Sequence, residues 1–154
     1  MKTSIDGVFA AGDVANIPLP LHVTAGKRMR QPIGHWPIAQ MTGKIAALNI
    51  LKKNVPFASV PFFWTTMYGT NLRYCGFNTT GSTKNVIIHG DLSKHKFVAY
   101  FLDDSSEERV MAVATMGMDP LASHFGELVH SGSSLFKKDI AEDPEGTWTK
   151  SLSP

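Results

Sequence analysis

The sequence predicts an α+β protein: an antiparallel sheet of about five strands with a C-terminal helix, preceded by a strand–loop–helix segment. Three observations carry this prediction. Short apolar runs between residues 62 and 115 are separated by glycines or polar clusters and never by a helical pattern, which requires antiparallel neighbours. An amphipathic helical stripe follows them, and a second helical pattern precedes them behind a proline-rich stretch.

Taken in order, Val8-Phe9-Ala10-Ala11 reads as a short strand, apolar enough to be buried on both faces. Thr3 stands at the right distance to open a turn into it. The stretch from Asn16 to Gly34 carries Pro18, Pro20, Gly26 and Pro32 and reads as a loop, long for a compact domain. Pro37 then occupies a first-turn helical position, where its fixed φ helps and its missing donor costs nothing. Ile38, Met41, Ile45 and Leu48 follow at helical spacing. Ala39, Gly43, Ala46 and Ala47 are small enough to let a sheet or ligand come close, and Asn54 and Pro56 read as the stop.

The strand candidates are Phe62–Thr66, Leu72–Phe77, Val86–His89, Phe97–Leu102 and Val110–Thr115. Gly69, Gly81, Gly90 and the cluster Asp103-Asp104-Ser105-Ser106 punctuate them. Both alternating sets of Phe97–Leu102 are apolar, which predicts a central strand. Asp119 is expected to cap a helix with Pro120 in its first turn. Leu121, Phe125, Leu128 and Val129 form its buried stripe, and Gly132 its stop. The tail from Lys137 to Pro154 is polar apart from Trp148 and reads as a docked arm or a disordered segment. The chain thus divides into residues 1–54, 55–135 and 136–154.

Composition narrows the function classes. The 154 residues are 43% hydrophobic and 18% charged, as in a soluble globular protein, and no apolar run approaches a membrane span. No basic segment followed by an apolar one opens the chain, so no secretory signal is expected. A net charge of +2 is too small to argue for nucleic acid, and Lys27-Arg28-Met29-Arg30 reads as a solvated loop rather than a phosphate or partner contact. Cys75 is the only cysteine, which suits a reducing compartment, and its apolar surroundings predict a packed thiol rather than a nucleophile. His124-x-x-Glu127-x-x-His130 sets its histidines six apart, on different sides of a helix, so no metal site is expected there. His89 and His95 flank a turn and are expected in solvent. There is no CxxC pair and no Gly-x-Ser-x-Gly elbow, and no catalytic residue is assigned.

Gly12-Asp13 is either a plain strand-end turn or a site with a close backbone approach and a fixed carboxylate. Three neighbouring features favour a site. They are Thr3 at the head of the run, Gly34-His35-Trp36-Pro37 at the positive start of a helix, and Val60-Pro61-Phe62-Phe63-Trp64-Thr65-Thr66-Met67-Tyr68 further on. Together they resemble a known family. Thr-x5-Phe-Ala-Ala-Gly-Asp is similar to the second flavin-binding motif of FAD-dependent pyridine-nucleotide–disulfide-type reductases. Pro-x-Phe-Trp-Thr-x-x-Tyr resembles the start of the C-terminal domain of ferredoxin-reductase and apoptosis-inducing-factor-like members. In combination, Gly34-His35-Trp36-Pro37-Ile38-Ala39-Gln40, the run from Val60 to Gly69 and Leu72-Arg73-Tyr74-Cys75-Gly76-Phe77 resemble the Rieske-containing branch of the apoptosis-inducing-factor-like oxidoreductases, and Val86–Leu92 and Lys96–Tyr100 extend the likeness to about residue 131.

The resemblance implies that Asp13 holds the ribityl hydroxyls of FAD, Gly12 admits the backbone, and Val14 begins a run of N–H donors. It implies that His35, Trp36 and Pro37 face the pyrimidine edge of the flavin and that Trp64 is an aromatic neighbour of the cofactor. The alternative for Trp64 is ordinary core packing. The implied chemistry is hydride transfer from a nicotinamide to flavin and then single-electron transfer, which the cofactor carries. No Gly-x-Gly-x-x-Gly pyrophosphate fingerprint occurs in these residues, and no two of the thirteen glycines are spaced two apart. The chain therefore reads as the last strand and helix of an FAD-binding domain plus a reductase C-terminal domain, inactive alone. Its expected partners are the upstream FAD and NAD domains of one parent chain. NAD(P)H and a Rieske 2Fe-2S cluster are implied only for those upstream domains. A homodimer and a mitochondrial location complete the expectation. The alternatives are a stand-alone interaction or dimerisation domain that ignores FAD, and a natural truncated product beginning at Met1.

Overall fold

The computed structural model describes residues 1–24, 27–78, 84–141, 143 and 146–152, and its elements divide between two units, Met1–Ser59 and Val60–Pro154. Gly26 and Gly81, read above as loop punctuation, lie outside the described residues. Among the described residues no helix is long and apolar enough to cross a membrane.

In the first unit Thr3 opens a tight turn, as expected. Its N–H donates to the Val8 carbonyl at 3.0 Å, and its hydroxyl accepts from the Ile5 N–H at 3.2 Å. The run after it is not a strand buried on both faces. Only a single bridge joins Lys2 to Phe9, Val8 is 45% exposed, and the chain turns at once into a short 3₁₀ segment, Gly12–Val14. With one rung of pairing, Phe9, Ala10 and Ala11 are half-buried rather than enclosed.

The proline-rich stretch is a two-stranded antiparallel ribbon, β1 (Ile17–Thr24) against β2 (Lys27–Gln31), rather than a loop. Ile17, Leu19 and Leu21 are buried, a period-2 pattern that Pro18 and Pro20 hide by occupying the positions between. Proline is tolerated because a two-stranded ribbon leaves each strand one free edge. The register slips between Pro18 and Val23, where prolines remove ladder donors. The basic run Lys27–Arg30 accordingly sits in β2.

Helix α1 runs from Trp36 to Ile50 with proline in its first turn. Its buried stripe is Ile38, Thr42, Ile45 and Ala46, while Met41 and Leu48 are only half-buried. The stripe is rotated from the apolar one because a polar residue, Thr42, occupies its centre. Asn54 and Pro56 do not stop this helix. Lys52 does, in the left-handed region at φ 59°, with its N–H bonded to Asn49 O and that of Lys53 to Leu48 O, both at 3.0 Å.

The second unit is a five-stranded antiparallel sheet in the order β3-β4-β7-β6-β5, with β3 Phe62–Met67, β4 Thr70–Gly76, β5 Val86–Asp91, β6 Lys96–Leu102 and β7 Val110–Met116. All five expected strands are present. β6 is interior, with Val98, Ala99, Tyr100 and Leu102 buried, but the middle place belongs to β7. The strands pack closely where β4 ends. Gly76 has φ +94°, and a Cβ there would lie 2.9 Å from the Ala112 Cα, which leaves room for glycine alone.

Helix α2 (Leu121–His130) buries Leu121, Phe125, Leu128 and Val129 as the stripe predicts. Gly132, at φ +86°, ends it: its N–H bonds to Val129 O and that of Ser133 to Leu128 O, both at 3.0 Å. Asp119 does not cap this helix. Pro120 takes the cap position without a side-chain bond, and the Asp119 carboxylate instead accepts from the Arg73 guanidinium of β4. The described part of the tail is ordered. Ile140 of α3 (Lys137–Ala141) is fully buried, and Trp148 donates its indole N–H to the Tyr100 hydroxyl at 3.2 Å.

Cys75 is fully buried in β4, and burial pushes its thiol from an ordinary 9.0 up to about 12. Folding thus holds the proton on sulfur, so stability is undiminished below pH 9 and falls as pH rises from there toward 12. At pH 8 a thiol-specific reagent should leave the native chain unmodified and label it only once denaturant unfolds it. Replacing Gly76 by alanine should lower the unfolding free energy by about 2–4 kcal/mol in urea melts, combining backbone strain with overpacking. Lys52→Gly should raise it by roughly 0.5–1 kcal/mol, since glycine adopts the left-handed cap without penalty.

Candidate functional site: a glycine–aspartate turn tied to a helix

The turn at Gly12 is built by the helix that follows the ribbon. The Gly12 N–H donates to the Thr42 hydroxyl at 2.9 Å. That hydroxyl in turn donates toward the carbonyls of Ile38 at 2.8 Å and Ala39 at 3.0 Å. One fully buried oxygen therefore satisfies a loop donor and returns its own proton to the helix backbone. Gly12 stands at φ +73°, and a Cβ there would lie 4.0 Å from that of Ala39, so its backbone conformation rather than space demands glycine.

This anchoring places the Asp13 carboxylate against the entry to α1. A Cβ on Gly34 would lie 3.6 Å from Asp13 Oδ2, at ordinary van der Waals contact, so the carboxylate sits close beside the Gly34 backbone. His35 takes the cap position of α1 without a side-chain capping bond, and no acidic residue occupies the first turn. The positive end of α1 and an exposed carboxylate thus come together, with Trp36 77% exposed and Val14 82% exposed beside them in sequence. A cleft of about 500 Å³ flanks the turn. Thr3, Ser4, Val14, Asn16 and Arg30 are among its walls, and Arg30 donates to the Asn16 carbonyl at 2.6 Å.

Such a surface offers an acceptor for hydroxyl donors, a positive helix end for developing negative charge, and an exposed flat ring. It carries no nucleophile with an attendant base. Of the residues singled out in the sequence, Gly12, Asp13, His35, Trp36 and Pro37 belong to this turn and helix start, with Val14 at the rim. Thr42 and Gly34 complete the arrangement. Thr42 escaped notice because a threonine on an apolar stripe reads as filler. The signal available was its place four residues after Ile38, on the stripe itself.

Trp64 belongs to the second unit, on the edge strand β3, and is 61% exposed. It is not a core residue: its ring has Phe62 as a neighbour at 6.4 Å between centroids and otherwise faces outward. The histidines divide differently from expectation. His95 is exposed in a turn, but His89 is half-buried and meets the Tyr100 ring edge-on at 5.6 Å, because β5 extends past it to Asp91. Among the described residues no group of three or more His, Cys, Asp or Glu side chains is placed to hold a metal ion.

No family model matches the chain. Over 140 residues it is 37% identical to apoptosis-inducing factor 3 of Homo sapiens, a match spanning 91% of this chain and 22% of that protein. It is 26% identical over 148 residues to the ferredoxin–NAD(+) reductase component of the anthranilate 1,2-dioxygenase system of Burkholderia cepacia, covering 96% of this chain and 34% of that one. Among solved structures, Fdr9 superimposes with a TM-score of 0.67 at 23% identity over 94% of this chain and 36% of that one. The putidaredoxin reductase–putidaredoxin complex does so with a TM-score of 0.64 at 21% identity, over 94% and 33%. The chain thus spans about a fifth to a third of the length of the curated relatives named here. It is a homologue of apoptosis-inducing factor 3 and of ferredoxin reductases, and it matches a fraction of the length of each.

Proposed function

We propose that this chain supplies part of the flavin site of an FAD-dependent NAD(P)H oxidoreductase of the apoptosis-inducing-factor-like kind. The observation that carries the reading is the Gly12–Asp13 turn, bonded to α1 through Thr42 with its carboxylate at Gly34. These residues fit the group. Asp13 would accept from the ribityl hydroxyls, and Gly12 and Gly34 add no side chain near that carboxylate. Val14 and the first turn of α1 would present N–H donors, with His35, Trp36 and Pro37 toward the pyrimidine edge, where a positive helix end favours added electron density. Trp64, exposed on β3, keeps the role of aromatic neighbour of the cofactor that the resemblance implies. When bound, FAD supplies hydride acceptance from a nicotinamide and onward single-electron transfer. The chain's own residues bind and orient; none is assigned a proton to move.

NAD(P)H and the Rieske cluster belong in this reading to other parts of a longer parent, and these residues alone do not turn over. They carry no pyrophosphate fingerprint, so most of the contacts that give a dinucleotide its affinity lie elsewhere. A mitochondrial location is part of the reading, and the likeness to apoptosis-inducing factor 3 supports it. A homodimer is part of the reading, and the exposed Ile50 and Leu51 at the end of α1 are apolar surface available to it.

Titrating the ¹⁵N-labelled chain with FAD should shift the amide signals of Gly12, Asp13, Val14 and the first turn of α1. Asp13→Ala should weaken that response about 10–100-fold, as loss of a charged acceptor does. Shifts that are absent at millimolar FAD, or identical in the variant, would favour the stand-alone interaction domain. Thr42→Val should lower stability by about 1–3 kcal/mol and broaden the Gly12 amide, since that N–H then loses its acceptor. Thr42→Ser should restore both.

A further inference from the structure

Arg73 stands directly across from Trp64 in the β3–β4 pairing. Opposite partners in an antiparallel pair project from the same face, with Cβ atoms about 5 Å apart. On its other flank Arg73 pairs with Thr115 of β7, which is buried, so its position on β4 stands between a covered strand and the exposed Trp64 of the edge strand. The Arg73 side chain is 27% exposed, and its partner is fixed: the Asp119 carboxylate, 46 residues further on, just ahead of α2. That helix is seated on the unit through Leu121, Ala122 and Phe125, and Asp119 stands two residues ahead of it in sequence. No other acid is close in sequence, because the chain contains no Asp or Glu from Val14 through Gly90.

Trp64 has far less support. Its ring is flanked along β3 by Phe62, and at 61% exposure little within the chain covers it from above. The side opposite β3's outer edge belongs to Arg73. We infer that Arg73, held by Asp119, is a positioning residue that walls the Trp64 indole on the β4 side and sets its orientation. Arginine suits this role where lysine does not, since its planar fork can hold a carboxylate while its flat body lies beside a ring. The guanidinium charge is balanced by Asp119, so the contribution is orientation rather than an electric field. As a statement about function, the inference rests on the reading of Trp64 as an aromatic neighbour of flavin.

The test is ¹⁹F NMR of the full chain labelled with 5-fluorotryptophan, which has three resonances, one each from Trp36, Trp64 and Trp148. Trp64→Phe assigns the one of interest. Arg73→Met should shift the Trp64 resonance by more than its linewidth and increase its solvent isotope shift, leaving Trp36 and Trp148 in place. Asp119→Asn should move Trp64 in the same direction while keeping both side-chain shapes. Arg73→Lys should recover only part of the native shift. A Trp64 signal unmoved in folded Arg73→Met overturns the inference. If that variant does not fold, an unmoved signal in Asp119→Asn overturns it equally. FAD added to the unaltered chain separates the two readings: an indole that responds to Arg73 but not to FAD counts against the flavin assignment alone.

Discussion

The hydroxyl of Thr42 is the atom on which the candidate flavin surface depends. A glycine turn with φ at +73° has few contacts of its own, and Gly12 would be free to move if its N–H were left to water. By accepting that N–H inside the helix stripe, Thr42 converts a turn into a fixed ledge and sets Asp13 beside the start of α1. A purely apolar residue at this position would pack as well but leave a donor unsatisfied in a part-buried place. Thr42 lies on the buried stripe with Ile38, Ile45 and Ala46.

A comparable tie organises the second unit. Arg73 and Asp119 join the sheet to the approach of α2, across 46 residues of sequence. Because the acid is used there, it is not available as a helix cap, and Pro120 takes that position without a side-chain bond. In both ties a polar side chain serves a partner distant in sequence: Thr42 accepts from Gly12 while also bonding its own helix, and Asp119 accepts from Arg73 in place of capping α2.

Much of the fold was legible. The five strands from Phe62 to Met116 were readable because alternation of apolar residues and glycine-bearing breaks are local properties. The stripe of α2 and its glycine stop were readable for the same reason. The ribbon of β1 and β2 was not, since Pro18 and Pro20 signal a loop wherever a strand needs donors on both edges. Whether an edge is free is decided by the number of strands that assemble, which no window of sequence contains. The stop of α1 was misplaced for a related reason: Lys52 adopts a backbone conformation typical of glycine, and its composition gives no hint of it.

Within the candidate site, the sequence by itself determined the chemistry on offer: a Gly-Asp pair, a helix opened by His35-Trp36-Pro37, and a tryptophan in an uncharged strand. These are residue identities and short spacings, and they are sufficient to suggest a likeness to flavin-dependent reductases. Tertiary structure alone decided that Thr42 grips Gly12, that the Asp13 carboxylate lies close to Gly34, and that Trp64 is exposed on the edge strand across from Arg73. Each of these joins groups that local periodicity treats as independent. Hydrogen bonding and exclusion act through distance in space, and only the assembled fold brings such groups within that distance.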